Sequence, residues 1–164
     1  MVTASLPPKI LDIANGKVTW GRLEGIDYET LGYFLSCHLI VEHYLDEFLR
    51  ISYPTLDWAA ARHTFGQKVA LLSDFKVSDK YDCIPAIKHM NSLRNRLSHN
   101  IDFKIELEHL LPLTQYLTKA SGLDKAKELT HPRQVLEEFT SMSCVLLAGY
   151  ISGLANHTSF NREK

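Results

Sequence analysis

The chain has 164 residues, 45% of them apolar and 23% charged, with a formal net charge of −1. That length supports one domain with its own hydrophobic core, and the near-neutral charge excludes a broadly basic surface for polyanions. No signal-peptide pattern opens the chain and no apolar run approaches the roughly 20 residues that span a bilayer, so the expectation is a cytoplasmic, bacterial-type soluble protein without membrane contact.

Residues 1–26 carry Pro7, Pro8, Gly16, Gly21 and Gly25 among scattered apolar positions, which predicts an irregular arm with at most a short helix or strand. Asp27 is placed to cap a helix over Tyr28–Ile51, whose apolar face is read as Leu31, Leu35, Leu45 and Leu49, reinforced by Phe34, Val41 and Phe48. His38 and Glu42 interrupt that face. Tyr53-Pro54-Thr55 ends the helix, and a second one, about Asp57 to Phe75, is expected to bury Trp58, Ala61, Phe65, Val69 and Leu72 with Lys68 on its flank. Asp79–Asp82 reads as a polar turn, with Asp82 capping a third helix and Pro85 in its first turn.

That third helix repeats apolar residues at Ile84, Ile87, Met90, Leu97 and Ile101 and ends near Asn100. Asp102 is then read as the cap of Phe103–Leu111, Pro112 as a break before Leu113–Lys119, Ser121-Gly122 as a stop, and Asp124–Leu129 as a short helix. A last helix, Pro132–Asn156, presents Val135, Phe139, Met142, Leu146 and Tyr150. Its second half is apolar nearly all round and rich in small residues, as in a helix central to a bundle or buried against a second copy of the protein. Residues 157–164 read as a loose tail. No strand-period segment is assigned, so the expected class is all-α: an antiparallel bundle of four to six helices over residues 27–156. Cys37, Cys83 and Cys144 are odd in number and lack zinc-site spacing, and they read as reduced core thiols. Trp20 and Trp58 are taken as packing residues, and His63, His109, His131 and His157 as surface or capping residues.

Chemistry concentrates in Ser92–Asn100. From Lys88 to Lys104 the chain carries Lys88, Arg94, Arg96 and Lys104 against Asp102 alone, so this segment is basic in a neutral molecule. Arg94 falls on the apolar stripe, where a charge that cannot be shed must meet a carboxylate, a carbonyl or an anionic ligand. Arginine can grip a phosphate bidentately, and histidine is suited to proton transfer near neutrality. Arg94 and His99 therefore hold the groups that cleavage of RNA by its own 2′-hydroxyl needs, without a metal. Five residues at about 100° each set the two some 140° apart on a continuous helix, so they converge only if the helix breaks near His99, with Asn100 as a left-handed cap. The plainer alternative is an arginine paired to a buried carboxylate and a histidine capping the helix end.

His38, Glu42 and His43 could form half of a metal site. The cationic neighbours Lys68, His89 and Arg94 argue against one, and a buried polar network is the more economical reading: Glu42 neutralises Arg94 or Lys68, and His38 bonds alongside. No metal ligand set and no cofactor are assigned. The sequence also lacks a phosphate-binding glycine loop, a nucleophile elbow and a carboxylate pair placed for glycoside chemistry.

The string Leu93-Arg94-Asn95-Arg96-Leu97-Ser98-His99-Asn100 resembles the signature of HEPN domains: an arginine, a polar residue directly after it, and a histidine four to six residues on that closes a helix. The likeness is specific over Ile84–Asn100 and looser over Leu39–Ile51, with a weaker similarity to members of the mannitol-operon-repressor type. It implies a helical bundle that forms a homodimer, with two motifs facing a shared cleft. Many such proteins are metal-independent ribonucleases of toxin–antitoxin or defence systems, which implies RNA and an antitoxin or regulatory protein as partners. On that basis Arg94, Asn95 and His99 are the expected catalytic residues, Arg96, Lys88 and Lys104 the substrate-binding ones, and Glu42, His38 and Lys68 their support. The competing expectation is a non-catalytic regulatory or protein-interaction module that keeps the motif as a structural polar cluster.

Overall fold

A computed structural model describes residues 8–22, 26–72, 78–100 and 102–160, with side chains to Asn156 in the last stretch. Parts of the predicted arm, residues 1–7 and 23–25, the end of the predicted second helix at 73–75, and the tail residues 161–164 lie outside the described residues. The class is mostly helical with one small sheet. The strands β1 (Lys9–Ala14) and β2 (Lys17–Gly21) pair antiparallel as a hairpin, which adds a small sheet, within the expected N-terminal arm, to the expected helical class. Asn15 and Gly16 both take positive φ, 51° and 73°, as a two-residue hairpin turn requires.

Helix α1 (Tyr28–Ser52) starts where expected, because the Thr30 N–H donates to Asp27 Oδ1 at 3.0 Å. Its buried stripe is Phe34, Cys37, His38, Val41, Leu45 and Phe48, and this phase turns Leu35 outward, against the expectation. The predicted helix over 57–75 is two pieces, α2 (Trp58–Ala61) and α3 (Phe65–Ala70). The break has a local cause: Arg62 is left-handed, and Thr64 and Gln67 form a reciprocal capping box that starts α3 afresh. Ala61 is exposed there, while Phe65, Val69 and Leu72 are buried as expected.

After one 3-10 turn, α4 (Ile84–His99) begins with the Ile84 N–H donating to Asp82 Oδ1 at 3.2 Å. It ends at His99 as predicted, but Asn100 is extended rather than left-handed. No helix restarts at Asp102. Residues 103–106 run without helix to a 3-10 turn at Leu107–Leu110, and Pro112 opens α5 (Leu111–Ser121) instead of breaking it, since the first helical turn needs no proline N–H. Gly122 closes α5 with φ 76°, followed by α6 (Lys125–Glu128) and α7 (Pro132–Phe160), whose backbone stays helical past the expected end at Asn156.

The central pair is α1 and α7, and it is parallel, not antiparallel. Arg133 bonds Glu29 at 2.9 Å near both helix starts, whereas Phe48 meets Tyr150 near both ends, with ring centroids 6.4 Å apart. The long excursion through α2–α6 returns the chain to its starting end. Helix α5 packs on α7, with Tyr116 edge-on to Phe139 at 5.7 Å. The core between these helices holds Phe34, Leu45, Leu49, Ile87, Met90, Leu113, Leu117, Leu136 and Phe139, all fully buried.

Cys37, Cys83 and Cys144 are free and buried, and burial pushes the Cys83 thiol up to about 12 and the Cys144 thiol up to about 11, so they stay protonated at neutral pH. Two packing expectations change. Trp20 is exposed on the hairpin, and α7 is long and apolar enough to cross a membrane by length and composition, with hydropathy 1.2 over Pro132–Asn156. One such helix is weak evidence of a span, since the inner face of α7 packs into this bundle.

Candidate functional site

Helix α4 divides the predicted residues between two of its sides. Lys88, Ser92, Asn95 and His99 follow one another at three- and four-residue steps, so they form a single exposed line facing away from the core. Arg94 stands two turns beyond fully buried Ile87, at the edge of the apolar stripe, and its long side chain leaves the bundle there. Arg94 is exposed at the mouth of a groove between α1, α3 and α4.

That groove has a volume of about 640 Å³ and is lined by His38, Glu42, Phe65, Asn91, Arg94 and Asn95, among others. Within it Arg94 Nη1 donates weakly to Asn95 Oδ1 at 3.5 Å. Glu42 does not neutralise Arg94. Its carboxylate is held by Lys68 Nζ at 2.8 Å, and Lys68 also bonds Asp46 at 2.8 Å, bridging α3 to α1. Burial by itself would lower the Lys68 pKa, but hydrogen bonds and charge from Asp46 and Glu42 outweigh it and hold the ammonium above its ordinary range. Of the two partners foreseen for Glu42, geometry selects the lysine, because Glu42 and Asp46 are one turn apart and both reach it.

His38 is 4% exposed, its ring 4.3 Å from that of Phe65, and its Nε2 meets no hydrogen-bond partner among the described residues. Burial lowers its pKa below 6.5, with the charge of Arg94 acting the same way, against the opposing pull of Glu42 and of a hydrogen bond with the Asn91 side chain. The unfolded chain then binds the extra proton more readily, so stability falls as pH drops below about 6.5 and is unaffected by His38 above it. Urea unfolding at pH 5 and pH 7 should show this loss in the wild type and a smaller one in His38→Gln. An equal loss in both would remove His38 as its source.

Around the end of α4, the Arg96 guanidinium lies over the Phe103 ring at 4.1 Å, and Lys104 lines a separate pocket of about 420 Å³ with Asn100 and Phe103. Lys88, Arg94, Arg96 and Lys104 make no ion pair with any described residue. His99 is exposed at the last helical position, and the helix is unbroken from Arg94 to His99. The two therefore remain some 140° apart within one chain, since no break brings them round.

His38, Glu42, Arg94 and Asn95 thus line one groove, with Lys68 holding Glu42 from beside it, and His99 and Lys88 stand on the neighbouring face. Asn91 also lines the groove and Asp46 shares Lys68 with Glu42, and neither is among the expected site residues. Both were accessible to spacing, Asn91 three residues before Arg94 and Asp46 four after Glu42. Among the other histidines, His109 Nδ1 accepts the Glu106 N–H at 3.1 Å and His131 Nδ1 accepts the Arg133 N–H at 3.3 Å, as helix-end capping groups, while His63 stacks beside Trp58 at 5.6 Å. The His157 side chain lies outside the described residues. Among the described residues no group of three or more His, Cys, Asp or Glu side chains is placed to hold a metal ion. The chain matches no protein-family model, no curated protein and no solved structure.

Proposed function

We propose that this protein is a metal-independent ribonuclease of the toxin–antitoxin or defence type, complete only as a homodimer. One copy supplies Arg94 and Asn95 to grip the phosphate, and the other supplies His99. The observation that supports it best is the grouping on one helix of exposed Arg94, Asn95 and His99: Arg94 contacts Asn95, His99 stands one turn beyond Asn95, and none of the three makes an ion pair with a described residue. Lys88, Arg96 and Lys104 add unpaired positive charge along the same helix and just past its end, where a polyanion would lie.

In the reaction, His99 takes the proton of the RNA 2′-hydroxyl as its oxygen bonds to phosphorus. Arg94 stabilises the charge on the equatorial oxygens. The bond from phosphorus to the 5′ oxygen breaks, and that oxygen takes a proton from water. The products are a 2′,3′-cyclic phosphate and a 5′-hydroxyl. Purified protein should degrade single-stranded RNA with chelator present, and Arg94→Ala should lose at least about 100-fold of that rate, as expected when the main charge stabiliser is removed. Wild-type protein without chelator-resistant cleavage would overturn the proposal.

A regulatory or protein-interaction module is the second reading, favoured by a different observation. Large apolar side chains stand exposed on the hairpin, on α1 at Leu39 and Ile40, and on α7 at Val145.

A further inference from the structure

The groove between α1, α3 and α4 carries unlike charges on two of its walls that do not neutralise each other. On the α4 wall Arg94 is exposed and meets no carboxylate among the described residues. On the α1 wall stands Glu42, 26% exposed, and its Oε1 accepts from Lys68 Nζ at 2.8 Å. Its Oε2 has no partner among the described residues. Lys68 also holds Asp46, so the lysine keeps Glu42 on the seam between α1 and α3, away from the arginine. An unpaired cation and a half-occupied carboxylate are thus both presented to one space.

The rest of the lining is a polar amide and apolar walls. Asn91 reaches from α4 toward α3, its Nδ2 3.8 Å from the point where a Cβ on Gly66 would stand, so the missing side chain at Gly66 leaves room beside the amide. Buried His38 is hydrogen-bonded to the Asn91 side chain and feels the charges of both Glu42 and Arg94, which sets these three groups around one ring. Leu35 and Leu39, one turn apart on α1, present exposed apolar surface to the same groove.

A ligand that satisfies this lining needs an anion for Arg94, hydrogen-bond donors for Glu42, a partner for the Asn91 amide and an apolar body to lie on the leucines. A nucleotide has all four. At about 640 Å³ the groove also falls within the roughly 300–1,000 Å³ range of small-molecule sites. The carboxylate then chooses among the bases, because when ionised it only accepts. Guanine alone carries two donors side by side on its pairing edge, N1–H and N2–H, with O6 next to them for an amide N–H. Adenine and cytosine would set a ring-nitrogen acceptor beside the carboxylate, and uracil offers one N–H between two carbonyl acceptors.

We infer that this groove is a guanine pocket: Glu42 accepts from N1–H and N2–H, Asn91 donates to O6, and Arg94 holds the phosphate of the same nucleotide. The inference rests on the ribonuclease reading for the RNA strand to which that nucleotide belongs, so that cleavage falls beside guanosine. Its test reads binding and needs no cleavage.

In calorimetric titrations of the full chain, guanosine 5′-monophosphate should bind at least roughly 10-fold more tightly than the adenosine, cytidine and uridine monophosphates. Inosine 5′-monophosphate lacks only the 2-amino donor and should lose about the same factor, a comparison that requires no variant. Glu42→Gln should abolish the preference for guanine, with Lys68 still held by Asp46 and an unchanged urea midpoint as the control. Arg94→Ala should weaken all four nucleotides while leaving their order. Equal binding of the four nucleotides by the wild type would overturn the inference, and so would no binding of guanosine 5′-monophosphate at millimolar concentration. Selective binding of the guanine nucleotide without RNA cleavage would support the pocket and remove the ribonuclease reading. RNA cleavage without such binding would do the reverse.

Discussion

Mixing Arg94→Ala with His99→Ala protein is expected to restore RNA cleavage that neither variant has alone, to about a quarter of the wild-type rate. Each homodimer of a single variant lacks one of the two groups at every site. Random exchange makes about half of the dimers mixed, and a mixed dimer has one of its two sites intact if Arg94 and His99 act across the interface. If both acted within one chain, every site in the mixture would still lack a group and nothing would return. The first outcome is the one expected of a site that is complete only as a homodimer. The variants should also fold. Arg94 is exposed and makes one weak 3.5 Å contact, and His99 is exposed at a helix end, so each substitution should cost less than about 0.5 kcal/mol. Unfolding of Arg94→Ala would instead mark the arginine as structural and support the regulatory reading.

The largest loss of stability is expected from Phe139→Ala, about 3–5 kcal/mol. Phe139 is fully buried in α7 and meets Tyr116 of α5 edge-on, so truncation removes both its apolar transfer energy and the ring contact, and leaves a void in close-packed surroundings. Against a typical total of about 5–15 kcal/mol, this is enough to unfold a large fraction of the protein near its working temperature. Denaturant titration should show a lower midpoint with an unchanged slope. A shift below about 1 kcal/mol would mean that the surrounding helices collapse onto the site, and that α5 is more loosely held than its packing implies.

Much of the helix punctuation was legible because it is local. Asp27 before Tyr28, Gly122 after Ser121 and the stop at His99 each rest on side chains or backbone within a few residues of the boundary. Other local marks were present and passed over. Asn15-Gly16 between two apolar stretches is a hairpin turn, hidden because the bulge at Leu11 breaks the alternation that betrays a strand. Thr64 and Gln67 carry the spacing of a capping box inside what read as one continuous helix. Leu35 falls on the apolar stripe by periodicity yet faces outward, because periodicity gives a stripe without its exact phase, and that phase is set by the helices packed against it.

The candidate site divides in the same way. From the sequence alone came the residue types, the charge concentrated around α4, and the need for Glu42 to find a cation, since a carboxylate cannot stay unpaired on an apolar face. Which cation it found was decided by tertiary packing: α3 docks on α1 so that Lys68 reaches Glu42 and Asp46 together, and Arg94 meets no carboxylate among the described residues. The direction of the central helix pair was also invisible in the residues, because burying an apolar stripe is equally favourable either way and only the path of the intervening chain selects parallel. Sequence determines which faces must be buried and where each helix stops. Which faces meet, and so which charges are neutralised and which stay available to a ligand, depends on contacts between residues far apart in the chain, which local periodicity does not encode.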